Sequence, residues 1–170
     1  MTACPECGYE FESLDRPQIL PALTALADDQ QQLPETADVP LLRSHRRQHS
    51  WSALEYDCHV RDVLRFQRDR VAAAQAENVP RFTSMRRDER AVEEHYNDRD
   101  PRAVAWQLAA AAGDLAATPS ALDDAGWLRT GVHPWPVREV RTVKWIGRRA
   151  VHELAHHLFD CRRLLAAGPD

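Results

Sequence analysis

A chain of 170 residues, 44% hydrophobic and 28% charged, is long enough to bury a core as one domain and too apolar to be a disordered tail. Its formal net charge of -4 lacks the basic excess that nucleic-acid binding requires, so no nucleic-acid partner is expected. No run approaches about 18 apolar residues, and the opening MTACPECGYE lacks the basic-then-apolar order of a secretory signal; neither a membrane span nor export is expected.

Residues 1–15 read as a separate leader containing Cys4-Pro5-Glu6-Cys7-Gly8, with Tyr9 and Phe11 following. Residues 16–170 read as one helical domain. Pro17 suits the first turn of a helix, and Ile19, Leu20, Leu23 and Leu26 follow at helical spacing. Gln30 to Pro40 is polar with two prolines and reads as a loop, and Arg43 to His49 is basic and polar. Ser50 is placed to cap a second helix from Trp51 to about Asn78. The charged stretch from Pro80 to Asp100 predicts a connection with one short helix. Asp100-Pro101 then opens a third helix to about Ala117. Pro119 to Arg141 is an irregular connection rich in Pro and Gly, with His133-Pro134-Trp135-Pro136 at its centre. Thr142 opens a fourth helix that runs to about Ala167 and stops at Gly168-Pro169. No stretch alternates as strands do. The expected fold is all-α: an up-down type bundle of four long helices with long connections.

The last helix carries His152-Glu153-Leu154-Ala155-His156-His157. His152 and His156 are four apart, so they share a face and suit one metal ion. A third ligand on a facing helix is then expected, and His59 is the candidate. At about 100° per residue, Ser52, Glu55, Val63 and Phe66 share its face, while Trp145, Arg148, Phe159 and Arg163 flank the last-helix pair. The same string matches the His-Glu-x-x-His of zinc proteases, with Glu153 as base. That motif needs a further ligand, usually downstream, and no residue after His156 supplies one; His157 is expected to point elsewhere. Arg148 and Arg163 either orient a carboxylate of thiol or substrate or are solvated or paired with Asp and Glu, and Trp127 and Trp135 either cover the pocket or serve packing alone. Ala150, Leu154, Leu158, Cys161 and Leu165 form a second apolar stripe, which either packs inside the bundle or serves as a homodimer face.

Four cysteines, with one CxxC and two distant partners, read as cytoplasmic thiols or metal ligands rather than a secreted disulfide framework. Cys4 and Cys7 look like one knuckle of a zinc ribbon whose second pair is missing. His45 and His49 have ligand spacing but lie too far along the chain for a zinc finger. Three readings stand: a knuckle that borrows ligands after folding, a redox dithiol, or a cap that supplies thiolates to the bundle's own metal. Cys58 and Cys161 read as small core residues.

Two segments, Trp51 to Leu64 (WSALEYDCHVRDVL) and Thr142 to Asp160 (TVKWIGRRAVHELAHHLFD), resemble the DinB-like superfamily of four-helix metalloproteins. The middle stretch PRFTSMRRDERAVEEHYNDRDP is similar to an actinobacterial branch, and the resemblance spans about residues 17 to 165. It implies a metal held by His59, His152 and His156. It also implies a divalent zinc or nickel ion with an open position, which would activate a low-molecular-weight thiol such as mycothiol or bacillithiol against an electrophilic substrate. The implied activity is a thiol S-transferase or isomerase. A non-catalytic metal-binding or stress-response protein on the same scaffold is the alternative. The chain departs from other branches by having His157-Leu158-Phe159-Asp160 where they have HRGQ. It departs from mycothiol-dependent maleylpyruvate isomerases by having His152 where they place Glu.

Overall fold

The computed structural model describes residues 3–45, 50–134 and 137–166. Among them, four long helices make the scaffold: α1 (Arg16–Gln31), α4 (Ala53–Ala76), α6 (Pro101–Ser120) and α8 (Val143–Ala166). Each begins where local chemistry satisfies its free amides. The Asp15 N–H donates to the Gln18 side chain at 2.7 Å, with Pro17 in the first turn of α1. Ser52 rather than Ser50 caps α4, because Glu55 stands three residues beyond Ser52. The Glu55 N–H donates to Ser52 Oγ at 3.2 Å, and the Ser52 N–H donates to Glu55 Oε2 at 2.7 Å. Asp100 accepts from the Ala103 N–H at 2.7 Å ahead of Pro101, and Thr142 Oγ1 accepts from the Trp145 N–H at 3.1 Å.

The connections hold more structure than their composition suggests. Short helices α2 (Leu33–Thr36) and α3 (Val39–Leu42) lie in the stretch expected to be a loop, and each has a proline in its first turn. There proline starts a helix as readily as it ends one. The charged segment forms α5 (Arg87–Glu93) and then a 3₁₀ turn at Tyr96–Asp98. Beyond α6 come α7 (Asp124–Leu128) and a hairpin of β1 (Thr130–His133) and β2 (Glu139–Thr142). The hairpin is antiparallel, pairing Thr130 with Thr142 and His133 with Glu139. It corrects the expectation of a strand-free chain: four-residue strands flanked by Gly and Pro are too short to show a period of two. Gly131 is required in β1, since a Cβ there would overlap the ring of Phe82.

The bundle differs from a simple up-down order. Helices α1 and α4 each pack against both α6 and α8, and only slightly, if at all, against one another. Chain-consecutive α1 and α4 are therefore diagonal partners, and so are α6 and α8. The long connections at 32–52 and 121–142 permit these diagonal crossings, which a short turn would not. One core cluster centres on Ile19, Leu64, Leu108, Ile146 and Leu154, and a second on Leu54, Cys58, Tyr96, Leu158 and Cys161. Ala150, Leu154, Leu158 and Cys161 are all buried inside the bundle, so this stripe is not a dimer face. Cys58 and Cys161 are fully buried core thiols, and burial pushes that of Cys58 up to about 12. Among the described residues no helix is long and apolar enough to cross a membrane.

Candidate metal centre

Helix α8 offers two ligand pairs of the same i, i+4 spacing, His152 with His156 and Glu153 with His157, rotated about 100° from each other. The fold sends them in different directions. Glu153 and His157 are buried and turn toward α4, where they meet buried His59. Glu153 Oε2 lies 3.7 Å from His59 Nε2 and 3.5 Å from His157 Nε2. A tetrahedral zinc site with bonds of about 2.0–2.1 Å has N···O edges of about 3.4 Å, so these donors need move only a few tenths of an ångström.

The surroundings fit a metal. His157 Nδ1 is 3.2 Å from Asp160 Oδ2; donation of its N–H there leaves the Nε2 lone pair facing Glu153 and His59. Arg149 Nη2 holds the other Glu153 oxygen at 2.6 Å. Trp51 lies edge-on to His59 at 5.0 Å between centroids, and Tyr56 stacks on His157 at 4.9 Å. His59 Nδ1 is buried without a hydrogen-bond partner. Burial holds His59 below its usual pKa, despite Glu153 beside it. For His157 burial acts in the same direction, but hydrogen bonds to Asp160 and Glu153 outweigh it and raise the pKa. Burial of Glu153 is likewise overcome, by His157, His59 and Arg149, which keep its carboxyl well below the usual range.

His152 and His156 turn instead to the leader. Their ring nitrogens and the thiols of Cys4 and Cys7 all lie within 4.8 Å of one another. The set His59, His152 and His156 is thus divided between two clusters. The i, i+4 spacing applies equally to both α8 pairs, and the pair expected to join His59, His152 with His156, lies with Cys4 and Cys7 instead. His157, expected to point elsewhere, points into the bundle. The His-Glu-x-x-His string is likewise divided, with Glu153 in one cluster and His152 and His156 in the other.

His59 and Glu153 line a cavity of about 440 Å³ together with Val63, Phe66, Arg70 and His133. Arg86, Arg87 and Arg149 also reach it. Arg86 and Arg87 lie near Glu89, Glu93 and Asp88, and Arg149 pairs with Glu153. Arg70 differs: its hydrogen bonds go to the Thr83 carbonyl (2.9 Å), Gln67 Oε1 (3.2 Å) and His133 Nε2 (3.1 Å), none of them a carboxylate. Burial lowers its guanidinium to about 10, which leaves it cationic at neutral pH. Arg148 and Arg163 do not line this cavity. Arg148 donates to the Leu14 carbonyl at 2.7 Å and so fastens the leader to α8, while Arg163 pairs with Asp160 at 3.1 Å. Trp127 packs in the core rather than over a pocket. Trp135 and His49 lie outside the described residues, and His45 faces the Ser50 carbonyl at 3.1 Å. Of the residues that composition did not single out, Glu153 and His157 were visible as a Glu-x-x-x-His spacing, whereas Arg70 carried no local signal.

The scaffold has counterparts among known proteins. No curated protein sequence matches the chain. In fold it is similar to YfiT from Bacillus subtilis, described as a probable metal-dependent hydrolase with an unusual four-helix bundle topology; the two share 19% identity and a TM-score of 0.80 over 90% of this chain and 89% of that one. Residues 14–159 match the family described as the DinB superfamily.

Proposed function

Because the chain belongs to the DinB superfamily, we propose that it is a metal-dependent enzyme that directs a small thiol at an anionic electrophile, as a thiol S-transferase or isomerase does. The observation that carries this reading is the buried trio His59, Glu153 and His157 beside a cavity that also holds Arg70. Three protein donors leave at least one position for an exchangeable ligand, as catalytic sites do. A zinc or nickel ion held there would lower the pKa of a coordinated thiol, so that thiolate persists near neutral pH.

The chain's own residues set up the rest. Arg149 holds one Glu153 oxygen and leaves the other toward His59 and His157. Trp51 and Tyr56 cover the two imidazoles and keep water from them. Arg70, cationic and with no carboxylate among its hydrogen-bond partners, is suited to a carboxylate of the substrate or of the thiol.

The test is turnover of a small dicarboxylate electrophile such as maleylpyruvate, with mycothiol, bacillithiol or glutathione, on zinc- or nickel-loaded protein. Thiol-dependent turnover that His59→Ala abolishes is the expected result. Turnover without thiol would make water the nucleophile. No turnover with metal fully bound would favour a non-catalytic metal protein.

A further inference from the structure

We propose that Cys4, Cys7, His152 and His156 form a second, structural zinc site that pins the leader to α8. This site is separate from the three-donor centre and goes beyond the functional reading above. Its backbone is already shaped as a metal knuckle. The Gly8 N–H donates to the Cys4 carbonyl at 2.9 Å, and the Cys4 N–H donates to the Tyr9 carbonyl at 2.8 Å. Gly8 sits at φ +73°, the left-handed conformation that lets the chain turn back behind Cys7. Ala3 and Glu10 then pair across the loop as an antiparallel bridge.

The donor geometry fits zinc. With Zn–S of about 2.3 Å and Zn–N of about 2.0 Å, a tetrahedron has S···N edges of about 3.6 Å. Cys4 Sγ lies 3.6 Å from His156 Nδ1. The other ring nitrogen of His156 is held by Asp160 at 3.5 Å and Glu6 at 3.3 Å, the outer-shell support that metal-binding histidines have. His152 is 95% buried, by the exposure of 5%, and its Nε2 has no hydrogen-bond partner. Both cysteines are free thiols rather than a disulfide. Tyr9 and Phe11 pack on the His152 ring at 5.3 and 4.7 Å, so the leader brings its own apolar wall.

Two thiolates and two imidazoles fill a tetrahedron and neutralise the ion's charge. A closed set of this kind is structural, with no position for substrate. Binding would release the two thiol protons and couple folding of the leader to the metal. Asp160 touches both His156 and His157, so the same carboxylate supports a ligand of each site.

The experiment is cobalt substitution of the full chain, with absorption spectra and metal content read together. Two equivalents are expected, one of them giving a thiolate-to-cobalt charge-transfer band and intense tetrahedral bands. Cys7→Ser should remove or strongly weaken that band and leave the other equivalent bound. His59→Ala should remove the other equivalent and leave the band intact. If the wild-type chain binds cobalt with no charge-transfer band, the site does not exist, whatever the variants do. Alkylation of Cys4 and Cys7 at the same rate without zinc and with both equivalents of zinc bound would overturn it as well. A wild-type chain that binds only the equivalent with the charge-transfer band would count against the functional reading and not against this site.

Discussion

Replacing Asp62 with Asn should cost stability in a pH-dependent way, because this carboxylate fastens the wall of the cavity to α4. Asp62 is buried and receives hydrogen bonds at 2.7 Å from Arg61 Nε, Arg90 Nε and the Tyr96 hydroxyl. Arg90 belongs to α5, which contributes Arg87, Asp88 and Glu89 to the cavity, and Tyr96 to the turn that follows. Burial alone would raise the Asp62 pKa; the donors outweigh it and hold the carboxyl at about 2 against the usual 3.8. At about 1.4 kcal/mol per pH unit, the ionised form contributes about 2 kcal/mol at neutral pH. A depressed carboxylate stabilises above its unfolded pKa and loses that contribution as pH falls through the folded value. The contribution therefore falls to about 1 kcal/mol at pH 3 and is small near pH 2. Urea denaturation of wild type and Asp62→Asn at pH 7 and pH 3 measures it directly. The gap between the two proteins should be about 2–3 kcal/mol at pH 7 and roughly half that at pH 3. A gap that stays constant with pH would show that the Asp62 charge does not hold this segment.

Three further outcomes follow from the site. Arg70→Leu should weaken binding of a small dicarboxylate probe such as fumarate by about tenfold or more, the worth of a charged hydrogen bond, while Arg163→Leu changes little; calorimetry reads both. Asp160→Asn should reduce zinc affinity by about 10- to 100-fold in competition with a chelator, since it removes the charge that orients His157 and His156; unchanged affinity would mean that these histidines are not ligands. Gly131→Ala should destabilise the hairpin by about 1–3 kcal/mol, because its Cβ meets the Phe82 ring. The same change should disturb His133 against Arg70, visible as weaker probe binding beyond the loss of stability.

The four long helices were legible because each has a start signal: proline in the first turn of α1 and α6, serine just ahead of α4, though the cap is Ser52 and not Ser50, and Thr142 before α8. What the sequence hid was direction. His152/His156 and Glu153/His157 have identical spacing, and a helical wheel does not say which stripe faces α4 until the bundle's diagonal packing is known. The arginines illustrate the same limit. Arg148 and Arg163 lie near the histidines on the wheel of α8, whereas Arg70 reaches the cavity from α4 and is recognisable only once Gln67, Thr83 and His133 gather around it. The CxxC was legible as half of a site; its other half sits about 145 residues away on α8, a separation that no spacing rule anticipates.

An anomalous-difference map at the zinc edge, on crystals of the zinc-loaded full chain, tests the division of α8 most directly. The account predicts two peaks, one bounded by His59, Glu153 and His157 and one by Cys4, Cys7, His152 and His156. A single peak shared by His59, His152 and His156 would contradict it.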